Sequence, residues 1–539
     1  MHSSTSKNCC PRQPYQSLTA LWLRSSNRSW LKQIRHYKDG GKTVKNRVNY
    51  RANKTPSMKV LTDSQCQEIL LAAEEVLFRT GMEYHDPQAL EILKKHGCFV
   101  DGIRVRIPPF LVERALRSCQ KHVVLCNSRT GKPEMFLEGN NAYFGSGSGT
   151  PFFRDPYTGE RKRSTNQSIG WATKVLDAMP NIDFCMSLGL VQDVPLLVAD
   201  RWEFEQQLLN TSKPIVNVVT DQWAQADCIA MAEAVAGGAE ELRRHPFITL
   251  YLEPISPGII AAESCQKVIT GAEKGIPTIF TPCIMAGTTA PATIAGVLVQ
   301  GIAESLSGLV LSQCAGEGAA YIMGGVYTIM DMSSTIFSYG APEMDLMLAC
   351  LTDMGHYLNL PVFGTNGCTD SIIVDEQAGI EAALSITMTN LSGPNLNHDI
   401  GYCEYGTTAN LDLVVMDNEI VGMARRLTAG IPVNENTLSL DEIESVPPKG
   451  RFRNIWDTDW DDDEDFIPKT NNRNFESDLI SRAAHDMWKS NGRKSLTERC
   501  NETVRDIIEN YEPEQLPKDV KAKIRDIVEH AVAKIPGVN

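Results

Sequence analysis

A short loop combines several kinds of reactive side chain. The segment GTNGCTDS at 364–371 holds hydroxyl, amide, thiol and carboxylate groups, with glycine at its first and fourth positions. Glycine has no Cβ, so such a loop lets the backbone approach a ligand. The segment is either a strand-to-helix turn in which Asp370 or Ser371 caps the next helix, or a pocket wall. We predict a pocket wall, in which Asn366 orients a ligand and Asp370 shapes the electrostatics.

His398 is the second candidate for chemistry. It stands in NLNHD at 395–399, at the end of a predicted strand. A zinc site would pair it with Cys368 or Cys403, but no second histidine is close in sequence and the cysteine spacing is irregular. We predict a hydrogen-bonding or acid-base histidine in a pocket, with a purely structural histidine as the alternative. No metal site is predicted.

Aromatic residues concentrate near predicted strand ends, although they make up only 7% of the chain. Rings beside carboxylates suit a quaternary ammonium, which donates no hydrogen bond and gains about 0.5–2 kcal/mol from each ring contact. Any single ring could instead fill the protein interior. Tyr327, Phe363 and Tyr402 are predicted to form a cage. Tyr339 is predicted to contact the same ligand. The full set is Tyr327, Phe337, Tyr339, Phe363, Tyr402 and Tyr405.

From about residue 140 the chain alternates β-type runs with helical patterns. Each run is followed by turn residues and then by an amphipathic stretch of helix length. Eight such units predict an α/β fold, a (β/α)8 TIM barrel over residues 140–436. The predicted strands are 142–145, 182–189, 214–220, 246–252, 277–281, 319–324, 360–364 and 394–398.

Two predicted helices have clear boundary signals. In 341–359, Pro342 and Glu343 occupy the first turn, and Glu343 is assigned an electrostatic role in the site. In 375–391, small side chains recur at helical spacing. Parallel barrels carry their chemistry at the C-terminal ends of the strands, so further positions could face a pocket. These are Ser146, Ser148, Gln192, Asp193, Asp221, Glu253, Cys283, Met285, Tyr327, Asp331 and the segments 365–370 and 398–405.

Charge is distributed unevenly along the chain. Between Gly275 and Ala424 there is no lysine or arginine, although Lys and Arg make up 52 of 539 residues, and the same window holds fifteen acidic residues. A buried core excludes both signs of charge, so core composition explains only part of this pattern. A negative potential attracts cations and repels nucleic acid. The window covers roughly the last four predicted strand-plus-helix units, so half of the pocket mouth should be anionic.

The N-terminal part of the chain divides in two. Residues 1–57 contain twelve basic residues and one acidic residue. We predict a disordered extension there, either an organellar presequence or a translated upstream region before a start at Met58. Residues 58–139 are predicted to be mostly helical, with Thr62 and Asp63 able to cap the first helix.

Residues 437–539 form a predicted C-terminal extension of helices. It begins with a polar segment and an acidic stretch at 457–465. Alternating aspartates suggest a calcium loop, but no glycine or closing glutamate falls at EF-hand spacing, so a solvated loop is predicted.

Several protein classes are disfavoured. No apolar run reaches the roughly 20 residues of a membrane-spanning helix, and no signal-type segment is present. The fifteen cysteines include no CxxC pair, which argues against a disulfide framework. GSGSG at 145–149 lacks the lysine of a P-loop. We expect a cytoplasmic, homo-oligomeric enzyme that binds neither membrane nor nucleic acid.

Six groups of short motifs occur in a fixed order. They are FGSG at 144–147 with DPYTGE at 155–160, ISP at 255–257, AGTTAP at 286–291, YGAPE at 339–343, TD at 369–370 with DEQAG at 375–379, and DNEIVGMARR at 417–426. Together they resemble the trimethylamine methyltransferase family of corrinoid-dependent methylamine enzymes, in particular its members that lack pyrrolysine and act on quaternary amines. The resemblance runs from about residue 59 to residue 436.

The resemblance implies methyl transfer to the Co(I) corrinoid (cobamide) of a corrinoid-binding partner protein docked over a barrel mouth, in methanogenesis or one-carbon metabolism. No cofactor would be bound directly by this chain. In the trimethylamine enzymes pyrrolysine falls in the region of 365–368, where this sequence has standard residues. The expected substrate is therefore a quaternary amine such as glycine betaine or a related betaine. Strong anions touching the ammonium would favour the ground state over the transition state, so acidic residues are expected at the rim.

A betaine carboxylate needs a basic or N–H-rich anchor. We assign this role to Arg201, with Arg154, Lys213 and the backbone N–H groups of 145–149 as alternatives. The ammonium should then lie toward residues 325–405. Two other functions stay open: a barrel that binds betaines or a corrinoid protein without catalysis, and a metal-dependent TIM-barrel enzyme.

Overall fold

The computed structural model describes residues 57–431, 433, 435–452, 475–477 and 479–535. The predictions for residues 1–56 and for the acidic stretch 457–465 lie outside the described residues. Of the described residues, those within 476–494 belong to one compact unit and all others to a second unit.

The N-terminal region mixes helices with short strands. Thr62 caps the first helix, because its side chain accepts from the Gln65 N–H while the Gln65 side chain accepts from the Thr62 N–H. The helix and a cap near its first residue are predicted by the sequence, whereas the five strands of this region are not. The elements are α1 Asp63–Arg79, β1 Met82–Tyr84, α2 Pro87–Lys95, β2 Phe99–Asp101, β3 Arg104–Arg106, α3 Pro109–Ser118, β4 Val123–Cys126 and β5 Pro133–Leu137.

The central region alternates strands and helices and inserts extra strands into the loops. Its elements are β6 Tyr143–Ser146, β7 Phe152–Arg154, β8 Arg161–Arg163, α4 Asn166–Ala178, a 3-10 turn Leu196–Val198, α5 Ala199–Asn210, β9 Ile215–Val218, α6 Gln222–Ala236, α7 Ala239–Arg244, β10 Ile248–Leu252, β11 Ile259–Ile260, α8 Ala262–Lys274, β12 Thr278–Phe280, β13 Cys283–Ala286, α9 Ile294–Ala315, β14 Tyr321–Gly324, β15 Val326–Ile329, α10 Pro342–Leu358, β16 Val362–Thr365, α11 Glu376–Ser392, β17 Leu396–Ile400, β18 Tyr402–Cys403, β19 Thr408–Ala409 and α12 Leu411–Thr428.

A seven-stranded sheet organises this region, and its neighbouring strands are all parallel. Its strands follow the order β6, β17, β16, β14, β12, β10 and β9. The predicted (β/α)8 barrel is confirmed only as an α/β fold with seven of the eight strands; a closed eight-stranded barrel is not formed.

The missing strand is the predicted segment 182–189. It makes only single parallel bridges to the two edge strands, Gly145 to Phe184 and Cys185 to Ile215. The segment leaves the extended conformation at Leu188, whose φ is 46°. The Phe144 N–H donates to the side chain of Asp183 at 2.9 Å, which uses a donor of the edge strand.

The sheet surrounds one buried cluster of side chains. Each of the seven strands and the bridging segment contributes to it, as the barrel prediction requires of inward-facing positions. The contributors are Tyr143, Phe184, Met186, Val216, Tyr251, Ile279, Ile322, Phe363 and Leu396, joined by side chains of the β4–β5 hairpin.

Helix α9 is the most deeply packed helix that flanks the sheet. Among the described residues it alone is long and apolar enough to cross a membrane by length and composition, but most of it is buried inside the fold. It packs against α1, α3 and α8. The expectation that no apolar run reaches the length of a spanning helix is therefore wrong for α9, whose apolar length is explained by burial on several sides.

The C-terminal elements of the larger unit are α13 Glu435–Leu438, α14 Leu440–Ser445, α16 Leu496–Asn510 and α17 Lys518–Ala533. Helix α16 packs against α4 and α12, and α17 packs against α5 and α6. These helices therefore form part of the outer layer. In the smaller unit, α15 spans His485–Ser490, and the Trp488 indole N–H donates to the carbonyl of Lys494 at 3.2 Å.

Candidate active site

A cavity of about 460 Å³ lies at the C-terminal ends of the sheet strands. Half of the lining residues come from the Lys/Arg-free window and half from the preceding part of the chain, so the two halves face each other across one cavity. The first group is Cys283, Val326, Tyr339, His398, Asp399, Tyr402, Tyr405 and Gly406. The second is Ser148, Gly149, Val218, Val219, Tyr251, Glu253, Ser264 and Lys267.

A sharp turn at the end of β17 places three lining residues together. Asp399 adopts φ 81° and Gly401 adopts φ 89°, conformations that reverse the chain and bring Tyr402 back beside His398. The Tyr402 hydroxyl accepts from the Ser148 N–H at 2.6 Å and donates to the Ser148 carbonyl. Burial raises the pKa of Tyr402 well above its usual value, so the ring is a neutral phenol.

His398 is held by its neighbours on three sides. Its ring stacks on Phe363 with centroids 4.4 Å apart, and its Nε2 lies 3.1 Å from the Thr365 hydroxyl. Its Nδ1 lies 2.6 Å from an Asp399 carboxylate oxygen, although this contact lacks hydrogen-bond geometry. No described residue makes a proper hydrogen bond to either Asp399 oxygen, and the side chain is 1% exposed. A buried carboxylate without donors is rare and calls for a cationic partner.

Aromatic rings line the same side of the cavity. The rings of Tyr339 and Tyr402 meet edge to face with centroids 6.0 Å apart, and Tyr405 lines the cavity with them. Asp370 fixes Tyr339, because it accepts the Tyr339 N–H at 2.7 Å. The Asp370 N–H in turn donates to Glu381 at 2.9 Å. Asp370 therefore positions a ring without lining the cavity.

The other side of the cavity carries its one cationic side chain. Lys267 donates through Nζ to the carbonyl of Val219 at 2.9 Å. Burial lowers the pKa of Lys267 from 10.5, and the charge of Glu253 partly opposes that effect. Glu253 is exposed and accepts from the Tyr251 hydroxyl and, at 3.4 Å, from the Cys283 thiol. The lining residues thus hold two carboxylates and one ammonium.

Comparison with known proteins decides the family. Residues 28–536 match the family described as trimethylamine methyltransferase (MTTB). The chain belongs to this family. It is 34% identical to the trimethylamine methyltransferase MttB of Desulfitobacterium hafniense, over 87% of this chain and 93% of that protein. It is 27% identical to the glycine betaine methyltransferase of Desulfitobacterium hafniense strain Y51, over 88% of this chain and 97% of that protein.

A solved structure is also similar. The Methanosarcina barkeri monomethylamine methyltransferase (MtmB) covers 92% of this chain, and the match covers 93% of that chain, at 10% identity and a TM-score of 0.44. That likeness is too remote to support any statement about the site. Family membership makes this protein a methyltransferase, and the resemblance predicted from the motifs is confirmed.

Of the residues predicted for the site of this methyltransferase, Tyr339, His398 and Tyr402 line the cavity. Two others lie directly behind His398. Phe363 stacks on its ring, and the Asn366 N–H donates to its carbonyl at 2.9 Å. The loop 364–371 is therefore a support of the wall, and the next helix is capped by Asp375 rather than by Asp370 or Ser371.

Three predicted residues lie away from the cavity lining. The Tyr327 ring packs so closely on Gly301 and Gly325 that a Cβ at either position would overlap it. Glu343 lies in the first turn of α10. Arg201 is buried and pairs with two carboxylates, those of Asp200 at 3.0 Å and Asp227 at 2.9 Å, so it would have to break ion pairs to bind a substrate.

The alternative anchors are also occupied elsewhere. Arg154 donates to the carbonyls of Gly159 and Ile372. Lys213 donates to the carbonyls of Leu176 and Met179, both at 2.7 Å. Neither side chain lines the cavity, whereas Ser148 and Gly149 do. Their backbone N–H groups donate to the Tyr402 hydroxyl and to the Gly189 carbonyl, so these anchors are occupied as well.

Sequence reasoning missed Lys267. The rule of strand C-terminal ends did include Glu253, Cys283 and Asp399, but Lys267 lies on helix α8. A signal was present, because Lys267 shares the buried face of α8 with Ser264 and Gly271 at helical spacing. A lysine on a buried helix face is rare and marks a special environment.

The expectation that acids stay at the rim holds for Glu253 alone. Asp399 is buried within the cavity wall. Asp399 therefore contradicts that expectation; one of its carboxylate oxygens lies 2.6 Å from Nδ1 of His398. Within the described residues, no three His, Cys, Asp or Glu side chains converge as a ligand set for a metal ion.

Proposed function

We propose that this methyltransferase moves a methyl group from a quaternary amine to the Co(I) corrinoid of a partner protein. One observation carries the proposal: the three tyrosine rings of the Lys/Arg-free window, those of Tyr339, Tyr402 and Tyr405, line a single cavity together with the donor-free Asp399 carboxylate. A primary or secondary ammonium would donate hydrogen bonds to such a carboxylate. A quaternary ammonium supplies charge without N–H groups, and rings bind its methyl groups through their negative faces.

The neutral hydroxyls and rings suit the reaction as well as the binding. During transfer the C–N bond breaks and its electron pair stays on nitrogen, so the ammonium becomes a neutral tertiary amine. No proton has to move in that step. The task of Tyr339, Tyr402 and Tyr405 is then to align the methyl group and exclude water. His398 and Thr365 hold the wall behind the substrate.

A corrinoid, when presented by a partner, supplies a strongly nucleophilic cobalt as methyl acceptor. The loops after the strand ends offer a surface for such a partner, because they expose large apolar side chains. Met332 is 80% exposed, and Trp223, in the first turn of α6, is 71% exposed. Exposed apolar groups of this kind mark interaction sites when they gather on one face. The others are Leu196 and Leu197 of the 3-10 turn, and Ile255, Ile372 and Ile373.

The relatives agree with this proposal from two directions. One is named for trimethylamine and one for glycine betaine. Both of these compounds are amines with N-methyl groups. The positions 365–368 hold standard residues in this chain. We therefore place the substrate among the quaternary amines, whose nitrogen already carries the charge that makes its methyl group electrophilic.

The test is a methyl-transfer assay with purified protein and reduced cobalamin or a corrinoid-binding protein. Glycine betaine, carnitine, choline, tetramethylammonium and trimethylamine are offered separately, and mass spectrometry detects the demethylated amine. We expect turnover with at least one quaternary amine. Binding of these amines without any demethylation would instead support a non-catalytic betaine-binding protein and refute the proposal.

A further inference from the structure

The cavity has an asymmetry that the proposed function does not require. Three of its rings, Tyr339, Tyr402 and Tyr405, and the Asp399 carboxylate come from the Lys/Arg-free window. A fourth ring, Tyr251 of β10, and Lys267 come from the preceding half, and Lys267 lies after β10 and contacts the end of β9. In the sheet order, β17 and β10 are separated by three strands. A cation-binding group and a cationic side chain thus enter the cavity from different sides.

The Lys267 ammonium has capacity for a ligand. It is 7% exposed and carries three donors, of which one goes to the Val219 carbonyl. Among the described residues, no carboxylate lies within 4.0 Å of its nitrogen. Buried lysines are normally paired, because an isolated buried ammonium is strongly disfavoured.

Glu253 does not complete that pairing. Its carboxylate is exposed and already accepts from Tyr251 and Cys283. It is close enough to raise the pKa of Lys267 somewhat, but not close enough for an ion pair. Solvent screens an exposed carboxylate, so Lys267 still faces the cavity as a cation without a direct counter-ion.

We propose that Lys267 binds the carboxylate of the substrate, so that this methyltransferase takes zwitterionic betaines in preference to quaternary amines without an acidic group. This inference rests on the proposed function for the ammonium end of the substrate. The three tyrosines and Asp399 hold the ammonium, and Lys267 holds the carboxylate. Lys267, and not Arg201 as the sequence predicts, is then the residue that binds the betaine carboxylate.

A binding experiment tests the inference without any turnover. Calorimetry on the full chain, with no corrinoid partner present, compares glycine betaine with choline, which replaces the carboxylate by a hydroxymethyl group. We expect glycine betaine to bind at least tenfold more tightly, which is about 1.4 kcal/mol. Equal affinities would overturn the inference.

Variants separate anchoring from a structural role. In Lys267→Met, binding of glycine betaine should weaken at least tenfold while binding of choline stays within about twofold, because only one ligand has lost a charged partner. Lys267→Arg should restore part of the preference. Lys213→Met is the matched control: this lysine is also buried and bonded to carbonyls, but it lies outside the cavity, so the ratio of the two affinities should not change.

The outcomes distinguish this inference from the proposed function. If Lys267→Met weakens both ligands equally, Lys267 serves the fold or Glu253, and carboxylate anchoring is wrong. If glycine betaine is preferred but no methyl group is transferred, the anchor stands and the methyl-transfer proposal fails. If Lys267→Met does not fold, the preference of the unaltered protein between the two ligands still decides.

Discussion

The two walls of the cavity differ in how they carry charge. The wall from the Lys/Arg-free window presents rings, a histidine and the buried Asp399. The wall from the preceding half presents Lys267, the exposed Glu253, a single ring, Tyr251, and residues 148–149. Each wall alone would suit a simple ion. Together they suit a molecule with opposite charges at its two ends.

This difference gives the uneven charge distribution of the sequence a spatial meaning. The window without lysine or arginine contributes to one wall of the cavity and to the core behind it, including most of α9. Much of the window is buried, so core composition accounts for part of the missing cations. The proposed function would account for a further part, since a lysine beside Tyr402 or Asp399 would compete with an ammonium bound there.

The substitution with the largest expected effect is Gly147→Ala, which displaces side chains of the aromatic wall. A Cβ at Gly147 would overlap the Tyr402 ring and the Asp399 carboxylate. Both groups would have to move by about 1 Å, and misplacement on that scale lowers turnover by about 10²-fold. The measurement is kcat/KM for demethylation of the best amine.

Gly379→Ala is the control for this substitution. Its Cβ would meet only the Met416 sulfur at 3.9 Å, an ordinary contact, within helix α11. We expect unchanged kcat/KM and equal or slightly higher stability, since alanine favours helix over glycine. Equal activity of Gly147→Ala and the unaltered enzyme would mean that the aromatic wall does not position the substrate.

The next effect concerns stability and tests the anionic half directly. Asp345 is buried in α10, and burial raises its pKa to about 7. Between pH 4 and 7 the folded chain holds a proton that the unfolded chain has released, so the free energy of unfolding falls as the pH rises through this range. Asp345→Asn should raise that free energy by about 1–3 kcal/mol at pH 8 and have little effect at pH 4.

Asp353 in the same helix gives the opposite control. Its carboxylate accepts the backbone N–H groups of Val60 and Leu61, both at 2.7 Å. Asp353→Asn should therefore lower the free energy of unfolding at pH 8. Urea unfolding at both pH values measures all three proteins. A stabilising Asp353→Asn would show that the two backbone hydrogen bonds do not stabilise the folded chain. A destabilising Asp345→Asn would show that burial of this carboxylate does not lower the free energy of unfolding at pH 8.

Removal of one ring should have a smaller effect on binding. Tyr402→Ala deletes a ring beside the ammonium and the bonds to Ser148, and should raise KM by about 2- to 30-fold, the range of 0.5–2 kcal/mol. Tyr402→Phe keeps the ring and should have a smaller effect on KM. Tyr157→Ala, which removes an exposed tyrosine that meets Trp171 edge to face, should leave KM unchanged. A KM equally unaffected in Tyr402→Ala would remove this ring from the cage.

The sequence predicted the alternation of strands and helices well, because periodicity reports which faces are buried. It could not predict that 182–189 does not form a strand, since the backbone turns at Leu188, where φ is 46°, and such a turn depends on the tertiary surroundings rather than on local propensity. For the site, the rule of strand ends included His398 and Tyr402, which line the cavity. Residue type alone could not separate rings that line the cavity from Tyr327, which packs on two glycines.

The smallest expected effect is a pH dependence of KM, which tests the wall that carries Lys267. Burial lowers the pKa of Lys267 below 10.5, so its ammonium loses its proton at a lower pH in the folded protein than in the unfolded chain. Between these two values the unfolded chain binds the extra proton, and the free energy of unfolding rises with pH.

Over the same pH range Lys267 loses the positive charge that would bind the substrate carboxylate. KM for glycine betaine should therefore double at the folded pKa of Lys267, while KM for choline does not change with pH. A KM profile measured from pH 7 to 10 in which both substrates change together would mean that the titrating group acts on the ammonium end, or on the fold, and not on the carboxylate. Lys267→Met should show the flat profile with either substrate, because its side chain has no proton to lose.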